Sequence, residues 1–146
     1  YASDLELLSA PQLLLRLVRS GQLPLAELPL TVTYHDPCDL GRGGRIFEEP
    51  REVIRSIPGV TLVELPHNRE SCTCCGGGGN LEMVDAELAA KIARAKIDEV
   101  LATGAQAAVT SCQQCVRTMT GIVKRNQIKL EVLDIVQLVR RALKKA

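Results

Sequence analysis

Short segments in which hydrophobic and polar positions alternate recur along the chain, and longer segments with helical spacing separate them. Alternation with a period of two, together with β-branched residues, is typical of strands, whereas a period of 3.6 is typical of helices. The pattern predicts strands over 30–35, 60–65, 105–110 and 130–135. It predicts helices over 3–21, 50–57 and 80–103, a helix that begins within 111–115, and a last helix after 135.

Two of the predicted helices carry recognisable end signals. Ser3 and Glu6 have the spacing of a capping box, so we expect the first helix to begin there. Asn80 is suited to cap the long helix, and Gly104 follows its last turn. We therefore expect one uninterrupted helix between Asn80 and Gly104.

Strands alternate with helices from residue 30 onward, which favours the α/β class. Parallel neighbours need crossover connections of a dozen or more residues, so we expect a mainly parallel sheet flanked by helices. We expect residues 1–29 to form a helical segment and linker ahead of a domain over 30–146, the whole being one compact unit. Because the chain begins at Tyr1 rather than Met, we expect it to be part of a longer polypeptide.

Composition and charge narrow the choice of partners. Eighteen Lys and Arg residues face 17 Asp and Glu residues, a formal charge of +1 that gives no electrostatic footprint for nucleic acid. Aromatic residues make up only 2% of the chain, which also disfavours base-stacking platforms. The sequence contains no apolar run long enough for a transmembrane segment and no leader pattern, so we expect a cytoplasmic location.

Six cysteines in 146 residues are the unusual feature, and they follow three of the predicted strands. Cys38 comes after the first strand. A group of three comes after the second strand, namely Cys72, Cys74 and Cys75, and a pair comes after the third, namely Cys112 and Cys115. In open parallel sheets, ligands bind beyond the carboxyl ends of the strands. We therefore expect these thiols to meet in space.

Several chemistries are compatible with these thiols. A disulfide framework is disfavoured because such scaffolds are small, secreted and loop-rich. Adjacent cysteines chelate a single zinc poorly but can bind two irons of one cluster, so Cys74 and Cys75 favour a polynuclear site. Zinc held by Cys38, one of that pair, Cys112 and Cys115 remains open, as does a redox pair at Cys112 and Cys115. The matched separations of 35 and 36 residues around the vicinal pair favour the cluster.

Other residues near the cysteines have ordinary interpretations. For His35 we expect a hydrogen bond to nearby backbone; the alternative is that it orients its loop or moves a proton during disulfide reduction. For Asp36 and Asp39 we expect roles in turns or caps. Arginines such as Arg42 and Arg69 are expected to face water unless they offset the charge of a cluster. The four glycines 76–79 lack the Lys-Ser or Lys-Thr of a phosphate-binding loop, so we expect them to bring backbone N–H groups close to sulfur.

Three segments together resemble a known family. They are His35-Asp36-Pro37-Cys38 with Leu40-Gly41-Arg42, Asn68-Arg69-Glu70 leading to Cys74-Cys75-Gly76-Gly77-Gly78-Gly79, and Thr110-Ser111-Cys112-Gln113-Gln114-Cys115. The pattern resembles the cysteine-rich CCG domain of heterodisulfide reductase catalytic subunits. Similar domains occur in iron-sulfur subunits of glycolate, lactate and anaerobic glycerol-3-phosphate oxidation systems.

The resemblance implies a 4Fe-4S cluster, cubane or noncubane, held by Cys38, Cys74, Cys75, Cys112 and Cys115, although some CCG domains bind zinc. Cys72 lies outside the core pattern and is a possible additional ligand. The implied partner is a subunit or domain that contains flavin or iron-sulfur centres, with a disulfide as possible substrate. The expected function is electron transfer or thiol-disulfide redox chemistry, in an enzyme completed by a second domain or subunit. The alternative is a structural zinc-binding interaction domain.

Overall fold

The computed structural model describes residues 5–144, and its centre is a four-stranded sheet in which every pairing is parallel. The strands are β1 (Leu30–His35), β2 (Val60–Val63), β3 (Ala107–Thr110) and β4 (Glu131–Asp134), in the order β2-β1-β3-β4. The predicted α/β class with a parallel sheet is confirmed. β1 has the predicted bounds, whereas the other three strands are shorter than the sequence pattern indicates.

Helices connect the strands and lie on both faces of the sheet. They are α1 (Ala10–Arg19), α2 (Glu48–Arg55), α3 (Leu81–Val84), α4 (Ala86–Ala102), α5 (Gln113–Arg125) and α6 (Ile135–Ala142). A π-helical turn, Asp39–Gly43, and a 3₁₀ turn, Arg69–Ser71, lie in the loops after β1 and β2. Within residues 5–144, no helix combines the length and apolar character needed to cross a membrane.

The predicted start of the first helix is wrong. Helix α1 begins at Ala10, and its capping box is formed by Ser9 and Gln12. The proposed capping residue Ser3 lies outside the described residues, and residues 5–8 are not helical. Pro11 at the first turn, where a proline needs no amide hydrogen, strengthens the later start.

The expected single helix after Asn80 is interrupted. Asn80 adopts a left-handed conformation with φ of 58° and makes no side-chain cap, so only the single turn α3 follows it. Asp85 interrupts the helix, and its carboxylate accepts a hydrogen bond of 2.9 Å from the amide of Leu88. The cap of the long helix α4 is therefore Asp85, because an aspartate at that position satisfies an otherwise free N–H group.

The sheet separates two hydrophobic cores. On one face, Val32 and Tyr34 of β1 pack with residues of α1, α2 and α6. On the other face, Ala108 of β3 packs with residues of α4 and α5, among them Ile97 and Met119. Successive residues of a strand point to opposite faces of the sheet. Because Val32 and Tyr34 face the first core, Thr33 and His35 face the second. Helices α4 and α5 therefore cover the face on which His35 lies.

Candidate metal centre

Three loops bring the predicted cysteines to one place at the carboxyl edge of the sheet. Strands β1 and β3 are neighbours in register, with His35 opposite Thr110, and β2 flanks β1 on its other side. The loops that follow these three strands surround a cavity of about 240 Å³. Its lining includes all five predicted ligands, Cys38, Cys74, Cys75, Cys112 and Cys115.

The five thiols differ in depth. Cys75 and Cys115 are 5% and 4% exposed and form the inner wall, whereas Cys38 and Cys74 are exposed at the rim. Cys112 is intermediate and precedes the first residue of α5. The vicinal pair is thus divided between the interior and the surface, which presents sulfur to a ligand from two sides.

His35 belongs to the inner wall of the same cavity. Its side chain is buried, and one ring nitrogen lies within 4.8 Å of the sulfur atoms of Cys75 and Cys115. These two sulfur atoms also lie within 4.8 Å of each other. The Nδ1 atom lies 3.5 Å from the Sγ atom of Cys72. The expected hydrogen bond from His35 to nearby backbone is therefore replaced by contacts with sulfur.

The buried thiols perturb one another. The hydrogen bond between Cys115 and Cys75 lowers the pKa of Cys75, with further help from His35 against the effect of burial. The same contact with Cys75, together with burial, raises the pKa of Cys115. Burial lowers the pKa of His35, but its hydrogen bonds to Cys72 and Cys75 outweigh that effect and the net shift is upward.

The first two glycines of the run, Gly76 and Gly77, pack tightly against two helices. A Cβ atom on Gly76 would lie 2.6 Å from the carbonyl oxygen of Ala89, and one on Gly77 would lie 2.1 Å from Oγ1 of Thr118. The amide of Gly76 donates a hydrogen bond of 3.3 Å to the Sγ atom of Cys74. The contact agrees with the interpretation that these glycines bring N–H groups close to sulfur.

A buried ion pair anchors the first two cysteine loops. The Arg51 guanidinium, which is fully buried, donates to both carboxylate oxygens of Asp36 at 2.7 and 2.8 Å. Asp36 also accepts a hydrogen bond of 2.8 Å from the amide of Arg69 in the loop after β2. The expected role of Asp36 as a turn or cap residue is wrong, because its carboxylate joins α2, the Cys38 loop and the second cysteine loop.

A second anchor holds the loop that carries Cys74 and Cys75. Glu99 of α4 accepts hydrogen bonds of 3.0 Å from Oγ1 of Thr73 and from the amide of His67, and it pairs with the buried ammonium of Lys96. Burial raises the pKa of Glu99, but the hydrogen bonds, first that from Lys96, lower it to about 2. The sequence indicated none of this, since Lys96 and Glu99 look like ordinary surface residues of an amphipathic helix.

The remaining predicted residues have clear positions. Arg42 lines the cavity, and its guanidinium lies 3.3 Å from the carbonyl oxygen of Cys72. Arg69 pairs with Glu48 at 2.6 Å, away from the cavity lining. Cys72 is buried and lies outside the cavity lining, and its sulfur contacts the ring of His35.

The chain is similar in sequence to a known family and to several known proteins. A family model described as a cysteine-rich CCG domain matches residues 32–120. The "probable iron-sulfur-binding oxidoreductase FadF" of Bacillus subtilis is 35% identical over 135 residues, covering 90% of this chain and 19% of that protein. One polypeptide of the dihydromethanophenazine:CoB–CoM heterodisulfide reductase of Methanosarcina acetivorans is 38% identical, covering 80% of this chain and 29% of that polypeptide.

A third relative is an uncharacterized iron-sulfur protein of Methanococcus maripaludis. It is 33% identical over 133 residues, covering 87% of this chain and 26% of that protein. The chain therefore spans less than a third of the length of each of these three relatives.

Proposed function

This chain belongs to the CCG family of cysteine-rich domains, and we propose that it binds an iron-sulfur cluster as a redox domain of a larger oxidoreductase. The observation that carries the proposal is the meeting of five thiols from three loops at one cavity. Names of the relatives, which include an iron-sulfur-binding oxidoreductase and a heterodisulfide reductase component, support the same class of function.

The proposed cofactor is a 4Fe-4S cluster, cubane or noncubane, with Cys38, Cys74, Cys75, Cys112 and Cys115 as its ligands. The donor set fits such a group, since it consists of sulfur alone and is spread around the cavity rather than gathered at one point. When bound, the cluster supplies a reversible one-electron change. Vicinal Cys74 and Cys75, one exposed and one buried, are suited to two different irons.

The polypeptide itself supplies binding and charge compensation. The amide of Gly76 donates toward Cys74, and the N-terminus of α5 faces the cavity beside Cys112 and Cys115, so N–H groups favour anionic sulfur from two directions. The cationic side chain of Arg42 lies in the lining as well. These groups offset part of the negative charge that thiolate ligands would bring to the cavity.

The rim of the cavity is the proposed route for electrons. Cys38 and Cys74 are exposed there, so a partner that contains flavin or further iron-sulfur centres can approach the cluster from this side. A disulfide substrate would reach the same rim once a second domain or subunit completes the pocket. A cytoplasmic location is part of the proposal.

Metal analysis tests the proposal directly. Anaerobically reconstituted protein should contain about four irons with matching sulfide per chain, and oxidation should produce an electron paramagnetic resonance signal. One zinc without sulfide would contradict the cluster and support the structural zinc alternative.

Single substitutions test the ligands. Exchange of Cys75 or Cys115 for Ser should abolish the cluster signal, because each removes an inner-wall sulfur. The matched control is Ser71→Ala. Ser71 is exposed, belongs to the loop that carries Cys75, and lies outside the cavity lining. Full iron content in both cysteine variants would contradict the proposed ligand set.

A further inference from the structure

We propose that His35 is a positioning residue that donates an N–H hydrogen bond to the cluster-binding thiolates of the inner wall, with Cys72 as the partner that orients its ring. The inference rests on the proposed function and adds to it a residue that sets how readily the cluster accepts an electron. It also makes Cys72 a partner of the histidine rather than a ligand.

The position of His35 supports this role. It is the last residue of β1, the residue is 2% exposed, and sheet pairing opposite Thr110 fixes its backbone. A ring nitrogen lies within 4.8 Å of the sulfur atoms of Cys75 and Cys115. A buried imidazole must satisfy its polar atoms within the protein, and the polar partners given by the geometry are sulfur atoms.

Cys72 determines which ring nitrogen is free. Its Sγ atom lies 3.5 Å from Nδ1 of His35 and 3.5 Å from the carbonyl oxygen of Thr73. A neutral imidazole has one donor nitrogen and one acceptor nitrogen. In the proposed arrangement the Cys72 thiol donates to Nδ1 rather than to Thr73, so the ring hydrogen resides on Nε2 and is directed at the inner-wall sulfurs. A second partner that fixes the tautomer is the usual way in which proteins orient such a histidine.

A donor at this place has a defined electronic effect. Added electron density on a cluster spreads to its thiolate sulfurs, so an N–H group aimed at them stabilises the reduced state more than the oxidised state. Removal of the donor should therefore make reduction harder without removing a ligand. A ligand role for His35 predicts the opposite pattern, namely loss of iron.

The test compares variants of the reconstituted chain by iron content and by reduction potential at a single pH. His35→Leu should keep its full iron and should be about tenfold harder to reduce, which is about 59 mV lower for a one-electron couple. His35→Gln restores an amide donor and should stay within about threefold of the wild type. His67→Leu is the matched control, because His67 is 61% exposed and lies outside the cavity lining. Cys72→Ser should keep full iron, since the hydroxyl can still donate to Nδ1.

Several results would overturn the inference. An unchanged potential in iron-loaded His35→Leu would exclude the hydrogen bond, and loss of iron in both His35 variants would make His35 a ligand. Should His35→Leu fail to fold, a reduction potential of His35→Gln about 59 mV below that of the wild type, which is tenfold harder reduction, would refute the donor role. Loss of iron in Cys72→Ser would make Cys72 a ligand. A wild-type chain that takes up zinc but no iron would instead refute the proposed function, and the inference with it.

Discussion

Substitution of Gly76 by alanine should destabilise the protein strongly, whereas the same substitution two residues later should not. An added Cβ at Gly76 would lie 2.6 Å from the carbonyl oxygen of Ala89 and 2.9 Å from the amide nitrogen of Ala93. Both atoms belong to the backbone of α4, so a change of side-chain rotamer cannot relieve the overlap. The backbone at Gly76 also has a φ of +85°, a region that residues with a Cβ atom rarely adopt.

These two effects give the expected magnitude. Overpacking of a tight interior typically costs about 1–3 kcal/mol. A left-handed backbone costs a residue with a Cβ atom about 1–2 kcal/mol more. The free energy of unfolding of Gly76→Ala should therefore fall by about 2–5 kcal/mol, a large part of the 5–15 kcal/mol that is typical of a domain.

Urea unfolding followed by far-ultraviolet circular dichroism measures this loss. Gly78→Ala is the matched control, since an added Cβ there meets no atom within 4 Å and the backbone φ is not positive. The free energy of unfolding of Gly78→Ala should remain within about 1 kcal/mol of the wild type. The added methyl group meets no atom, and alanine reduces the entropy of the unfolded chain by only a small amount. Equal stability of the two variants would refute the argument that packing against α4 requires glycine at Gly76.

The two anchors of the cysteine loops make further predictions. Asp36→Ala leaves the fully buried guanidinium of Arg51 short of one carboxylate and should lower the free energy of unfolding by about 3 kcal/mol, measured in urea. The control Glu131→Ala breaks an exposed pair with Arg141 and should cost less than about 1 kcal/mol; equal losses would contradict the importance of burial. The lowered pKa of Glu99, about 2 against an ordinary 4.5, means that its charged form stabilises the fold above pH 4.5 and that this contribution disappears as the pH falls toward 2. Glu99→Gln should flatten the acid limb of the stability profile, and an unchanged limb would show that Glu99 is not the group responsible.

Much of the fold was predictable because strand and helix formation depends on the pattern of residues within a short segment. Alternation marked β1, and the order of strands and helices indicated a parallel sheet. The rule that ligands bind beyond the carboxyl ends of parallel strands placed the cysteine loops together. That placement needed no knowledge of side-chain contacts, since the sheet alone determines where its strands end.

The residues that the sequence did not reveal depend on partners far away in the chain. Arg51 looks like one polar position of a short helix, yet its guanidinium is buried against Asp36 and Glu64. The break before α4 was missed because the apolar stripe continues through it, although Asp85 ends one helix and caps the next. Periodicity records which face of a helix is apolar, not which buried charge finds a partner across the fold.

The strand order has a consequence for how such a domain can be joined to others. All five cavity cysteines belong to loops at one edge of the sheet, whereas the turns that enter β3 and β4, at 103–106 and 126–130, lie at the opposite edge. Insertions, fused modules or labels at those turns should therefore leave the cysteine loops undisturbed. The same scaffold can thus be built into polypeptides of very different length while its redox edge remains unaltered.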